Sequence, residues 1–323
     1  MHPSTKHTVA NPPLEYRQLG QTSLRVSVVS FGASPLGDVF HQTDPAEGTA
    51  AVRYAIERGI NFFDVSPYYG LTLAETRLGE ALEGHRQKVM LATKCGRYGA
   101  DEFDFSAARI TVEFENSLRR LRTDHVDLLQ AHDIEFGDVD QIVEETLPAM
   151  RRLQEQGKTR YVGITGYSLK NLVEIARRAK VDSILTYCRY NLMISDMDDV
   201  LVPFALRHGI GVINASALHM GILTRRGAPD WHPAPPEVRD TGHRVVELCD
   251  AHGIDVSQLA LKLSFDHPGI ATTLVGMSTR KHVEDNLRAL QFPHDPALLA
   301  EVEQIVRPVY NYVWPSGRIE NHG

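Results

Sequence analysis

The stretch Val26-Ser-Val-Val-Ser-Phe-Gly-Ala-Ser-Pro-Leu-Gly37 decides the fold. Its first half, Val26–Phe31, is short, apolar and β-branched, the composition of a strand buried on both faces. Its second half is the turn that leaves the strand. A doubly wound dinucleotide-binding sheet would carry G-x-G-x-x-G at this boundary. Gly32 and Gly37 are spaced wrongly for that motif, which occurs nowhere else in the chain. Working outward, similar runs recur at Asn61–Asp64, Val89–Thr93, Val126–Ala131, Tyr161–Thr165, Ser183–Tyr187, Gly211–Ala215 and Thr273–Val275. Helical patterns separate and follow them, over Asp44–Arg58, Ala74–Glu83, Ser106–Leu121, Ile142–Gln156, Leu169–Ala179, Asp199–Arg207, Glu237–His252 and Thr279–Leu290. Ser106 is placed to cap the third helix, and Gly59, Gly157 and Gly209 follow helices, where a left-handed residue is wanted. Eight strand–helix units in strict alternation predict a parallel sheet, and eight is the number that closes a barrel: an α/β fold of the (β/α)8 TIM type.

Three segments fall outside the eight units. Leu14–Leu24 is expected to form a β-hairpin over the barrel bottom, Val256–Asp266 an extra helix, and Pro296–Arg307 a C-terminal helix followed by a tail. Residues 1–13 read as a flexible extension and 14–323 as a single barrel domain, since such barrels run past about 250 residues as one unit. The net charge of -7, with no run of like charges, points away from a nucleic-acid or anionic-membrane partner. Cys95, Cys188 and Cys249 are odd in number and form no C-x-x-C, which points to a reducing compartment rather than a disulfide framework. The polar N-terminal stretch lacks the apolar core of a signal peptide, and no segment approaches the ~18 apolar residues of a membrane span, so a cytoplasmic location is expected. Fifteen histidines are scattered without H-E-x-x-H or other tight ligand spacing, so no metal site is expected.

Catalytic groups of such barrels sit at the C-terminal ends of strands. Those ends offer Asp64, Lys94 and His132, and Tyr69 follows in Asp64-Val-Ser-Pro-Tyr-Tyr-Gly70. Each has a competing structural reading: a charged residue just after a strand can serve only to hydrogen-bond a loop, and a single His there is more often structural than catalytic. Together they have a shared chemical reason. A free phenol ionises near pH ~10, too high for a base at neutral pH. A lysine ammonium beside it is expected to lower that value, and a carboxylate compensates the burial of the ammonium. Tyr69 would then exchange a proton with a hydroxyl or carbonyl oxygen that His132 orients.

These residues, with the late Val283-Glu-Asp-Asn286, resemble the aldo-keto reductase superfamily over nearly the whole chain from Leu14. Phe31-Gly-Ala-Ser-Pro-Leu-Gly37, Ala92-Thr-Lys-Cys-Gly-Arg-Tyr98, His132-Asp-Ile-Glu-Phe-Gly137, Gly163-Ile-Thr-Gly166, Leu274-Val-Gly-Met-Ser278 and Trp314-Pro-Ser-Gly317 are closer still to its L-galactose dehydrogenase branch. That resemblance implies a (β/α)8 barrel which oxidises an aldose at its anomeric carbon with NAD to give a lactone. It implies that Tyr69 transfers the proton, supported by Asp64, Lys94 and His132. It places a nicotinamide cofactor across the C-terminal rim, against Gly32 and Ala33, with Thr165, Gly166 and Tyr187 under the nicotinamide. Ser216, Ala217, Leu218, Met220, Gly221 and Leu223 would follow the pyrophosphate. Gly276, Met277, Ser278, His282, Asp285 and Asn286 would meet the adenosine.

The chain departs from many relatives in having Thr165-Gly166 for Ser-Asn, Tyr187 for Gln, and Ala215 for an aromatic residue. The lack of a lysine at or beside Met277 favours NAD, because a 2′-phosphate needs a cationic partner, although Arg280 lies close in sequence and NADP stays possible. Tyr68, Asp133, Trp231 and Trp314 are the candidates for the sugar, carboxylates suiting hydroxyls and aromatic rings suiting C–H faces. Trp231 stands in a Pro-rich loop, Ala228–Pro236, long enough to be a lid. Core packing is the competing reading for Tyr68 and Trp314. Rival functions are another aldose, pyridoxal or aldehyde activity of the same superfamily, a cofactor-binding barrel without turnover, and a metal-dependent hydrolase using His132 and Asp133. Two short matches are discounted: Ser278-Thr-Arg-Lys281, which lacks the companion motifs of acylating enzymes, and the sequon Asn214-Ala-Ser216, which falls on a predicted barrel strand.

Overall fold

A computed structural model describes residues 14–293 and 295–322. The extension expected at 1–13 lies outside the described residues. The chain first forms an antiparallel hairpin of β1 (Tyr16–Gln18) and β2 (Arg25–Ser27). Eight parallel strands then close a barrel in chain order: β3 (Val29–Gly32), β4 (Phe62–Asp64), β5 (Met90–Cys95), β6 (Val126–Ala131), β7 (Thr159–Gly166), β8 (Ser183–Tyr187), β9 (Gly211–Ala215) and β10 (Thr272–Gly276). β10 pairs with β3 to complete the ring. The run expected as one strand, Val26–Phe31, is therefore split. Val26 and Ser27 pair back onto the hairpin, the Ser27 hydroxyl donates to the Val29 carbonyl, and the Ser27 N–H is taken by Asn61. Both halves have the same apolar, β-branched composition, so the pattern alone hides the break.

The helices are α1 (Pro45–Glu57), α2 (Leu73–Ala81), α3 (Ala107–Arg120), α4 (Val139–Gln141), α5 (Leu147–Glu155), α6 (Leu169–Arg178), α7 (Met197–His208), α8 (Pro236–Ala251), α9 (Val256–Asp266), α10 (Arg280–Arg288) and α11 (Pro296–Val306). A π-turn, Ile142–Thr146, links α4 to α5. Pro148 follows it and has no N–H to return to the preceding turn, a common cause of such irregularity. Ser106 caps α3 as expected, its hydroxyl accepting the Arg109 N–H. Gly209 ends α7 at φ 67°, a conformation open to glycine at little cost.

One expectation is reversed. Glu237–His252 reads as the helix of the seventh unit and Val256–Asp266 as the extra one. In the structure Leu261 and Phe265 of α9 enter the core between barrel and helices, and Ser264 bonds Asn214 of β9 and Thr273 of β10. The buried residues of α8, Val238, Val245, Val246 and Cys249, instead join a second cluster with Leu298, Val302 and Val306 of α11. Amphipathic spacing tells that a helix has a buried face, not which surface covers it. The same bonds settle the discounted sequon, since Asn214 is fully buried.

The barrel interior is filled at its lower end. Phe62, Ala92, Leu128, Leu185, Ile213 and Leu274 point inward and meet Leu19 and Leu24 of the hairpin. The opposite end carries the ionisable residues.

Candidate active site

Strand geometry alternates side chains in and out of the barrel. Asp64 at the end of β4 and Lys94 on β5 both face in, and both are almost wholly buried. The Lys94 ammonium donates to an Asp64 carboxylate oxygen and, at 2.9 Å, to the Val65 carbonyl. Gln130 of β6 donates to the other Asp64 oxygen at 2.8 Å. Asp64 is thus held on both oxygens, as a buried carboxylate requires. Burial opposes the ammonium form of Lys94, but the Asp64 and Tyr69 oxygens outweigh it, so Lys94 is held above the ordinary lysine range.

Tyr69 reaches this pair from the turn after β4. The Lys94 nitrogen lies 5.0 Å from its ring centroid. The turn is set by two glycines: Gly37, after β3, and Gly70 pack backbone against backbone, so that a Cβ on Gly70 would overlap the Gly37 carbonyl and one on Gly37 the Tyr69 carbonyl. Gly70 also has φ 61°. The His132 ring stands edge-on to Tyr69, centroids 5.8 Å apart. The four residues singled out from the strand ends are thus brought together.

One expectation about them is corrected. Lys94 was to bring the Tyr69 phenol below its ordinary value. Burial instead pushes it up to about 12; Lys94 pulls downward, while Asp64 and Asp133 push upward. Desolvation of a phenolate here outweighs one cation that is already shared with Asp64. His132 moves the other way: burial, Lys94 and Arg97 hold it well below the ordinary histidine range, so its imidazole is neutral.

Four residues that the strand-end reading passed over complete the arrangement. Gln130 has been described. Ser66 touches His132, its hydroxyl oxygen 3.0 Å from Nδ1. Arg97 donates to Asp133 at 2.5 Å and its guanidinium carbon lies over Tyr68, 3.8 Å from the ring centroid. Glu135 is fully buried; one of its oxygens accepts the Tyr167 N–H at 3.0 Å and the Ser316 hydroxyl at 3.3 Å, and the other has no partner. Arg97 and Glu135 lie three residues after Lys94 and His132, and that proximity was the available signal.

The sugar candidates separate. Tyr68 and Asp133 flank His132: Asp133 Oδ2 is 3.6 Å from Nε2 and the Tyr68 ring centroid 6.1 Å from the imidazole. Asp133 has φ 51°, unusual for a residue with a side chain, and its N–H is held by Thr165. Trp231 is 56% exposed and faces Phe40 across 6.3 Å. Trp314 is buried, stacked on Tyr167 at 4.7 Å with His219 and His232 at its edges, which makes it a packing residue.

The residues expected at the cofactor lie along the same rim, after β3, β7, β8, β9 and β10. Ala33, Ala217, Leu223 and Met277 are buried. Thr165 and Gly166 end β7, Tyr187 ends β8, and the Tyr187 hydroxyl approaches Glu135 at 3.4 Å. Between Ser216 and Gly221 the chain carries left-handed residues at Ser216, His219 and Met220, a strained curl over the rim. The Ser278 hydroxyl bonds both His282 and His41; Asp285 is paired with Lys281 and Arg288; the buried Asn286 amide nitrogen has no partner. This orphaned buried donor, in the last turn of α10, is a group that an adenosine-type ligand could satisfy.

The Aldo/keto reductase family model matches residues 28–307. The chain belongs to the aldo/keto reductase family. It is 46% identical over 318 residues to an L-galactose dehydrogenase of Arabidopsis thaliana, covering 95% of this chain and 99% of that protein. It is 27% identical to a D-threo-aldose 1-dehydrogenase of a Pseudomonas species, covering 88% of this chain and 96% of that protein. Among solved structures it superposes on an aldo-keto reductase of Bacillus halodurans in its holo form with a TM-score of 0.76 and 28% identity, over 93% of this chain and 98% of that one. As an aldo/keto reductase the protein is a nicotinamide-dependent oxidoreductase acting on a CH–OH group.

Proposed function

We propose that this aldo/keto reductase oxidises an aldose of the L-galactose or L-fucose type at C1 to the aldonolactone, with NAD as the cofactor and Tyr69 as the proton-transfer residue. The observation that carries the reading is the buried Asp64–Lys94 pair beside Tyr69 and His132, in a chain 46% identical to an L-galactose dehydrogenase. The cofactor would be held along Thr165, Gly166, Tyr187, Ser216–Leu223 and Gly276–Asn286, and when bound it accepts the hydride from C1. The chain's own residues handle the proton. Neutral His132 orients the C1 oxygen and Tyr69 takes its hydrogen. Lys94 favours the phenolate that this requires, and Asp64 keeps Lys94 charged. Asp133 and Arg97, a carboxylate and a guanidinium side by side at the mouth, are suited to the remaining hydroxyls. Trp231 and Phe40, exposed and facing each other, offer an apolar surface suited to the C–H faces of a sugar.

Because the phenol lies at about 12, the reactive phenolate is scarce at neutral pH and oxidation should quicken as pH rises toward that value. The test is a panel of L-galactose, L-fucose, D-arabinose, pyridoxal and simple aldehydes, each with NAD and with NADP, followed by nicotinamide absorbance. L-Galactose or L-fucose with NAD should give the highest kcat/KM, and Tyr69→Phe should lose at least ~100-fold in kcat. Absence of aldose oxidation at neutral and alkaline pH would remove the substrate assignment; undiminished turnover in Tyr69→Phe would remove the role of Tyr69.

A further inference from the structure

Which nitrogen of His132 carries the proton decides whether it donates to the reacting oxygen or accepts from it. The ring is neutral, so one nitrogen has a hydrogen and the other a lone pair. The answer lies in Ser66, two residues past Asp64 and fully buried. The next residue, Pro67, has no N–H, so the first backbone donor after Ser66 is Tyr68. That N–H points back onto the Ser66 hydroxyl oxygen at 3.2 Å, a local turn of the kind serine side chains form. The hydroxyl oxygen is then already an acceptor, and its own hydrogen needs a partner. Among the described residues, the one other polar atom bonded to Ser66 Oγ is His132 Nδ1, at 3.0 Å. With Nδ1 as acceptor, the Ser66 hydrogen has a partner and the ring hydrogen sits on Nε2, the edge that faces Asp133. With Nδ1 protonated, the ring would donate to Ser66 and the buried serine hydrogen would be left with no acceptor, the costlier arrangement. On the far side of the ring, Asp133 Oδ2 stands 3.6 Å from Nε2, a carboxylate facing that edge.

We propose that Ser66 is a positioning residue which, anchored by the Tyr68 N–H, locks His132 as the Nε2–H tautomer, so that Nε2 presents a hydrogen to the substrate oxygen. Ser66 acts through His132 and touches no reacting atom. The proposal rests on the oxidoreductase reading only for its consequence in turnover; the tautomer itself belongs to the folded chain. It also explains the division of labour at the site. A histidine fixed as a donor orients the oxygen and leaves proton transfer to Tyr69.

The experiment is nitrogen-15 NMR of the imidazole of His132 in the full chain, assigned by comparison with a His132→Gln variant. In the wild-type protein Nδ1 should resonate as an unprotonated acceptor and Nε2 as a protonated donor. In Ser66→Ala both nitrogens should move toward averaged positions as the tautomers mix. Ser66→Thr, which keeps the hydroxyl, should restore the wild-type pattern. In turnover, Ser66→Ala should lower kcat by about 3–10-fold, the usual effect of one neutral hydrogen bond, with the alkaline rise of rate unmoved because Tyr69 is intact. A protonated Nδ1 in the wild-type spectrum, or an unchanged Nε2–H pattern in Ser66→Ala, would overturn the proposal. If no sugar is turned over but the spectra behave as described, the substrate assignment fails and the tautomer lock stands.

Discussion

At the scale of single residues, the site is a set of mutual compensations. Lys94 is tolerable in the barrel because Asp64 accepts from it, and Asp64 is tolerable because Lys94 and Gln130 cover both of its oxygens. Removing one partner leaves the other as an uncompensated buried charge, at a cost of about 3–5 kcal/mol. Lys94→Met should therefore lower stability by that order in chemical denaturation. The double variant Lys94→Met with Asp64→Asn should recover a large part of the loss. The same Lys94→Met change should move the alkaline rise of oxidation to still higher pH, because the phenol loses the one cation that pulls its value down. An unmoved pH profile would point to a base other than Tyr69. Asp64, Lys94 and His132 were legible in the chain as polar residues closing apolar runs, and Tyr69 as a phenol in the turn that follows the run closed by Asp64. The direction of the Tyr69 shift was not, because it depends on how much water the fold removes around the phenol.

At the scale of elements, two loops govern the site. The turn after β4 is clamped to the turn after β3 through Gly37 and Gly70. A methyl group on Gly70 meets backbone rather than a movable side chain, and it also opposes φ 61°. Gly70→Ala should displace Tyr69, lowering kcat by ~10-fold or more and stability by about 1–3 kcal/mol. Turnover equal to wild type would show that the clamp is not what places the phenol. The second loop runs from His132 to Gly137 and is stitched to the C-terminal tail. The Glu135 carbonyl accepts from the Arg318 N–H and the Asn321 amide, while its carboxyl accepts from Ser316. Burial, reinforced by Asp133, raises that carboxyl from 4.5 to about 8. A folded-state value above the unfolded one means that the native protein holds the proton more tightly, so stability is fully present below about 4.5 and is lost as pH rises to about 8. Glu135→Gln should flatten the pH dependence of Tm across that window and raise Tm at pH 8 by at least ~2 °C. An unaltered slope would show that another group carries it. The tail could not be connected to this loop from the chain, as these bonds join residues 181 or more positions apart along the sequence.

At the scale of the whole molecule, chemistry and stability sit at opposite ends of the barrel. The hairpin inserts Leu19 and Leu24 under the inward-facing strand residues, and Arg17 donates to the carbonyls of Phe265, His267 and Ile270 at 2.8–2.9 Å. Arg17→Ala should lower stability by about 1–3 kcal/mol while leaving kcat unchanged, which thermal melts and steady-state rates on one preparation would check. A loss of kcat without loss of stability would mean that the two ends are coupled. The amino-acid order alone determined the eight-fold alternation, the closed parallel barrel and the quartet of ionisable residues on its rim. These are periodic or positional features, set within one strand or one turn at a time. Only the tertiary structure decided that α9 rather than α8 covers the barrel, that Trp314 packs against Tyr167, that Ser66 and Arg97 reach His132 and Asp133, and that burial outweighs Lys94 at Tyr69. Each of these depends on which surfaces meet and what water they exclude, and a linear pattern records neither.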